Sequence, residues 1–171
     1  MAAAAVSITD TGATKANVDT VNGYTTGTVT PTSISETVAN ITSLEGTTGI
    51  SLATTNITVT DSATASEADT INGYTSGQVV LNIVSATVSE LATIEALNDT
   101  VMKFADDGAI TVTDAASKAN ADTINAYTTG QVTLNSVADT VTNITAIDAL
   151  TTTEVSMAAA AVSITDTGAT K

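Results

Sequence analysis

ITVTDAASKANADTINAYTTGQVTL, residues 110–134, carries the local pattern from which the whole chain is built. In Ile110-Thr111-Val112-Thr113-Asp114 apolar and polar residues alternate with period two and β-branched types dominate, which predicts a half-buried strand with Ile and Val inward and Thr outward. Ala121, Ile124 and Tyr127 then step by three, predicting a short helix ended by Thr128-Thr129-Gly130, and a second strand follows from Gln131 to Leu134.

The same pattern recurs along the chain. TVNGYTTG at 20–27 returns as TINGYTSG at 70–77 and TINAYTTG at 123–130, and VSITD at 6–10 returns as ITVTD at 57–61 and 110–114 and as VSITD at 162–166. The strand spacings are 51, 53 and 52, so the 171 residues read as one repeat domain. Its units are approximately 6–56, 57–109 and 110–161, with a partial fourth, 162–171, copying the first. A fainter half-repeat sits inside each unit, since Val21-Asn22-Gly23-Tyr24-Thr25-Thr26-Gly27 resembles Leu44-Glu45-Gly46-Thr47-Thr48-Gly49. Residues 1–15 are identical to 157–171, which gives a long period of 156 and the expectation that the chain is a window on a longer periodic protein.

Between the two strand-like stretches lies a second helix pattern. Val137, Val141, Ile144, Ile147 and Leu150, like Val84, Val88, Leu91, Ile94 and Leu97, fall on one helical face. Ser33 to Glu36 and Ser136 to Asp139 have the spacing of a capping box at its start. A third short strand is expected at Ile50 to Leu52, Val101 to Phe104 and Val155 to Met157, with turns such as Ala105-Asp106-Asp107-Gly108 leading to the next ITVTD. The predicted fold is therefore a repeat solenoid of three ~52-residue units, α/β with short parallel strands and short helices, the alternative being an all-β solenoid.

Composition narrows function. Thr supplies 38 residues and Ala 29, while His, Cys, Trp and Arg are absent, so imidazole and thiolate chemistry, zinc-thiolate sites and disulfides are excluded. A chain of net charge −14 carrying only four Lys is repelled by nucleic acid and anionic lipid. No apolar run approaches the roughly 20 residues of a membrane span, and residues 1–6 lack the positive flank of a signal peptide. The 43% hydrophobic content argues for folding, but one Phe and three Tyr require thin apolar layers rather than a bulky core.

Several rows of side chains are candidates for binding. Asp10, Asp61, Asp114 and Asp166 end successive strands, and Asp19, Asp69 and Asp122 precede the tyrosine motif. Rows of carboxylates favour a hard cation such as Ca²⁺ between them, although no cofactor is required; the competing reading is that each strand-end Asp caps the helix that follows. Tyr24, Tyr74 and Tyr127, with Asn22, Asn72 and Asn125 two residues earlier, are expected to form ladders that pack the repeat or, for Tyr, hold a glycan. Thr58, Thr60, Thr111 and Thr113 place hydroxyls on the outward strand face, similar to the ice-binding faces of solenoid antifreeze proteins. Every acidic position has copies, whereas an active site is unique, and neither a nucleophile elbow nor a phosphate loop occurs, so the chain is read as no enzyme.

These Thr- and Ala-rich, acidic, Cys-free repeats resemble the repeat arrays of giant bacterial, especially cyanobacterial, cell-surface and extracellular matrix proteins. The resemblance implies a secreted structural role, often Ca²⁺-dependent. The function expected is a non-enzymatic structural protein of an extracellular fibre or surface layer; the alternative is an ice-binding or glycan-binding module of a surface adhesin. Its expected partner is itself, head to tail, with Val162, Ile164 and Asp166 pairing or substituting at the neighbour's Val6, Ile8 and Asp10. A surface polysaccharide is a further candidate partner, and nucleic acid and membrane insertion are not expected.

Overall fold

The computed structural model describes residues 3–97, 101–150, 154–157 and 159–166. The chain alternates strand and helix: β1 (Val6–Ile8), α1 (Lys15–Asn22), β2 (Val29–Pro31), β3 (Ser33–Glu36), α2 (Val38–Glu45), β4 (Asn56–Thr64), α3 (Ala65–Asn72), β5 (Val79–Ala86), α4 (Val88–Ala96), β6 (Met102–Ala116), α5 (Lys118–Asn125), β7 (Val132–Asp139), α6 (Val141–Asp148), β8 (Val155–Ser156) and β9 (Ala161–Ile164). This is an α/β fold with parallel strands, so the all-β alternative is overturned by the helices.

Strands neighbour one another in chain order. β1 pairs with β2; β3 to β8 form the main sheet in sequence, with β9 also on β7, and the sheet does not close. Each strand stretch with its helix makes one pass across the molecule, β2 with β3 and β8 with β9 each belonging to a single pass. The step between paired residues is 21 to 26, as in Val29 with Ile50, Ile57 with Val79 and Val84 with Ile110. Each ~52-residue unit therefore spans two passes, and the half-repeat in the sequence is the strand–helix period.

The elements follow from local chemistry. Ile57 and Val59 in β4 and Ile110 and Val112 in β6 are buried and alternate with half-exposed or exposed Thr, as period two requires. The helices are only 8 or 9 residues long, too short to persist alone, and are held by inward Val18, Ile41, Leu44, Ile71, Leu91, Ile94, Ile124 and Ile147 packed on the strands. Each consecutive pair of helices touches, so the helices form a row over the buried face of the strands. The opposite strand face carries short polar side chains in register, including Ser85, Thr111, Thr133 and Ser156.

Four expectations about elements are corrected. Val84 and Val137 lie in β5 and β7, not on the helices that follow, whose caps are Thr87 and Thr140. Ser33-to-Glu36 and Ser136-to-Asp139 are strand segments; the capping boxes are Thr14 with Asn17, Thr64 with Glu67, Thr87 with Glu90 and Ser117 with Asn120. Ala105 to Gly108 runs inside the continuous β6 rather than forming a turn between strands, and of Ile50 to Leu52 only Ile50 pairs, with Val29.

Candidate self-association surfaces

The tyrosine motif closes each odd-numbered pass. Within the Tyr-Thr-x-Gly motif, the hydroxyls of Thr25, Thr75 and Thr128 donate to the carbonyls of Ala4, Thr55 and Gly108 at 2.7, 2.7 and 2.6 Å. Each also accepts from the amide two residues on, Gly27, Gly77 or Gly130, at 2.9 Å. Glycine is required there because a Cβ on Gly77 would lie 2.4 Å from the Thr55 carbonyl oxygen, and one on Gly130 2.3 Å from that of Asp107. This role of the motif was not legible from spacing, since the partners are about twenty residues away.

The carboxylates expected at strand ends are helix caps of an unexpected kind, and Asp61 and Asp114 lie inside β4 and β6 rather than at their ends. Asp61, Asp114 and Asp166 accept from the first amides of α2, α4 and α6, Val38 at 2.8 Å, Val88 at 2.9 Å and Val141 at 2.8 Å. Each caps the helix of the preceding pass, not the helix that follows. Glu36 and Asp139 do the same for Lys15 at 2.7 Å and Lys118 at 2.8 Å, while each also binds the Asn40 or Asn143 side chain of its own helix. Burial alone would raise the Glu36 pKa, but hydrogen bonds from Asn40 and the Lys15 and Thr37 amides outweigh it and hold the carboxyl below its usual value. Asp139 is held low by the Lys118 amide first, then by Asn143 and the Thr140 amide. In the middle unit Ala86 stands in the place of Glu36 and Asp139, and Ala65 in the place of Lys15 and Lys118. Asp19 and Asp122 pair with those lysines, the latter at 2.6 Å; Asp69 has no such lysine.

The expected rows do not converge. Asp61 and Asp114 sit on strands separated by β5, hence about 10 Å or more apart, and no cluster of three metal-ligating groups occurs among the described residues. Tyr24, Tyr74 and Tyr127 are likewise separated by intervening passes; Tyr127 stacks instead on Phe104, with centroids 5.9 Å apart, and its phenol is pushed up by burial and by the nearby Glu95 carboxylate. Asn22 donates to the Thr48 carbonyl at 3.2 Å rather than to another Asn. Thr58 stacks between Ser35 and Val80, and Thr111 between Ser85 and Thr133, so the outward Thr fall into different short rows.

Among the described residues, the first and last copies of the VSITD strand each pair on one edge. Internal copies of the VSITD strand pair on both edges: Ile57 with Ile34 and Val79, and Ile110 with Val84 and Val132. Val6, their equivalent in the first pass, pairs only forward, with Val29, and Val162, in the last, only backward, with Val137. The large apolar side chains left exposed among the described residues concentrate there. Tyr24 is 75% exposed at one end; Val141, Val162 and Ile164 are 46, 53 and 52% exposed at the other; only Ile83 lies between. Their counterparts are covered: Tyr74 and Tyr127 pack against the core, as does Val88, and Ile8 is buried. Asp10 lies two residues beyond β1, and among the described residues its carboxylate has no partner, although Asp61, Asp114 and Asp166 all cap a helix.

Compared with known proteins, the chain matches no family model, no curated protein and no solved structure.

Proposed function

We propose that the chain is a non-enzymatic structural protein, an acidic α/β solenoid whose copies associate head to tail into an extracellular fibre or surface layer. The observation that supports this reading is that one strand sequence recurs at 6–10 and 162–166, and that each copy makes half of the pairing that internal copies make on both edges. Val6 and Val162 stand in identical sequence, each makes one half of a pairing that Ile57 and Ile110 make whole, and together they amount to one complete strand. A contact of this kind is heterologous and open, so it propagates along one axis. It reuses surfaces that already fit, because β7 and α6 of one copy would meet β1 and α1 of the next as β5 and α4 meet β6 and α5 within the chain. Exposed apolar side chains at both ends supply the driving force, and charge −14 keeps the flanks solvated. The extracellular setting rests on the likeness to cell-surface repeat arrays and on a Cys-free composition indifferent to redox state.

The test is association of the purified chain followed by light scattering and electron microscopy. Filaments one molecule wide are expected, and Val141→Lys, which places a charge on the already exposed flank of α6, is expected to remain monomeric with an unchanged melting temperature. A parent chain that stays monodisperse at every concentration contradicts the reading.

A further inference from the structure

The three units differ where their first helix opens. In the first and third, a lysine begins the helix and sets its ammonium on the aspartate one turn later, Lys15 on Asp19 in α1 and Lys118 on Asp122 in α5. These lysine side chains are only 26 and 27% exposed, so the aliphatic stem is covered while the charge is neutralised. The helix of the middle unit, α3, opens on Ala65, which lacks everything beyond Cβ. The aspartate is kept. Asp69 holds the position of Asp19 and Asp122, and among the described residues its carboxylate makes neither a hydrogen bond nor an ion pair.

At that place a cavity of about 310 Å³ lies between α3 and α4, close to the lower bound of small-molecule sites. Its lining divides by chemistry. Asp69 of α3 and Glu90 of the facing α4 supply carboxylates, while Ile94, Leu97 and Met102 supply an apolar wall, with Ile94 and Met102 almost fully buried. Oε2 of Glu90 accepts from the Thr87 amide and hydroxyl at 2.8 Å each, and its Oε1 accepts no bond among the described residues. The charge has been rearranged as well. In the outer units the lysine stands with its aspartate near one strand carboxylate, Glu36 or Asp139; in the middle unit that residue is Ala86, and Glu90 replaces Asn40 and Asn143. Two carboxylates thus line the cavity in a unit that has lost its lysine.

We infer that this cavity is a binding site for a small linear aliphatic amine in its ammonium form. The charged head sits on the Asp69 carboxylate, with Glu90 on the facing helix, and the methylenes lie on Ile94, Leu97 and Met102. The ligand supplies from outside what Lys15 and Lys118 supply from within the chain. An inorganic cation meets the carboxylates alone and a neutral alkyl group the apolar wall alone; an alkylammonium meets both. The site is internal to the array and independent of the association proposed above.

The probe is n-propylammonium, the group by which a lysine side chain exceeds an alanine. The melting temperature of the full chain is compared in propylammonium chloride, sodium chloride and propan-1-ol at about 50 mM each, and a rise of about 2 °C is expected with the amine alone. Amide chemical shifts should move at residues 65–69 and 90–97, and each methylene removed from the probe should weaken binding by up to about fourfold. Asp69→Asn removes the anchor at an exposed position, and Ala65→Lys supplies the group covalently; both are expected to abolish the response. Equal melting temperatures in the amine and in sodium chloride overturn the inference, as does an equal effect of propan-1-ol. A response of the Asp69→Asn chain as large as its parent's, or shifts spread over all the acidic faces, places the amine on the charged surface at large and overturns it too.

Discussion

Thr75 and Gly77 show how much of this fold rests on single small residues. The Thr75 hydroxyl donates to one pass and accepts from its own turn, and Gly77 has room for no side chain against the Thr55 carbonyl. Gly77→Ala forces the backbones of two passes apart and is expected to cost about 2 kcal/mol. Thr75→Val keeps the shape but strands the Thr55 carbonyl and the Gly77 amide, costing about 1–3 kcal/mol. Urea unfolding measures both; a Gly77→Ala chain as stable as its parent would show that the passes are not in contact at this point. Thr55 belongs to the same logic: it is fully buried, and its hydroxyl is satisfied by the Pro31 carbonyl at 2.8 Å. High threonine content therefore serves more than strand propensity, since it caps helices and ties successive passes together.

At the scale of elements, helix starts are stabilised from outside. A carboxylate one pass away satisfies the first amide of α1, α2, α4, α5 and α6, where the partial positive charge of the helix is greatest. Asp114→Ala is expected to lower the melting temperature by about 3 °C. The pH dependence has a definite sign. Glu36, Asp139, Glu67 and Glu90 are held below their usual values by hydrogen bonds to the charged form, so their stabilisation is present above the unfolded carboxyl value, about 4.3, and is lost as pH falls through the lower folded values. Melting temperature should fall between pH 5 and 3, and a Glu36→Gln chain, with no proton to gain there, should lose less over that interval than its parent. These caps were half legible in the sequence. Asp and Glu at strand ends announced capping, but their true partners lie 21 to 26 residues away, beyond any local spacing, so the nearest Ser was read as the partner. Val137 and Val141 misled for a related reason. An inward strand residue followed four positions later by an inward helix residue imitates one helical face, although the chain changes from extended to helical between them. The alternation in ITVTD and the apolar spacing inside each helix were legible because both depend on neighbours within a few residues.

At the scale of the whole molecule, the described strand passes follow one another in chain order without closing. In the proposed assembly, charge −14 on every copy opposes association through long-range repulsion, while the side chains brought to the joint include the exposed apolar Tyr24, Val141, Val162 and Ile164. Added salt shortens the repulsion to about 8 Å at 0.15 M and is expected to speed assembly, which light scattering between 10 and about 300 mM NaCl will record. The central claim is that two neighbouring copies share one strand rather than placing two strands side by side. From the Val6 strand to the Val162 strand the chain makes six steps between passes, so a shared strand sets the axial rise per chain at six strand spacings, about 29 Å. Cryo-electron microscopy or fibre diffraction of the assembled filaments measures that rise directly. The account predicts about 29 Å together with a strand repeat near 4.8 Å, and a rise of about 34 Å, seven spacings with both end strands retained, would contradict it.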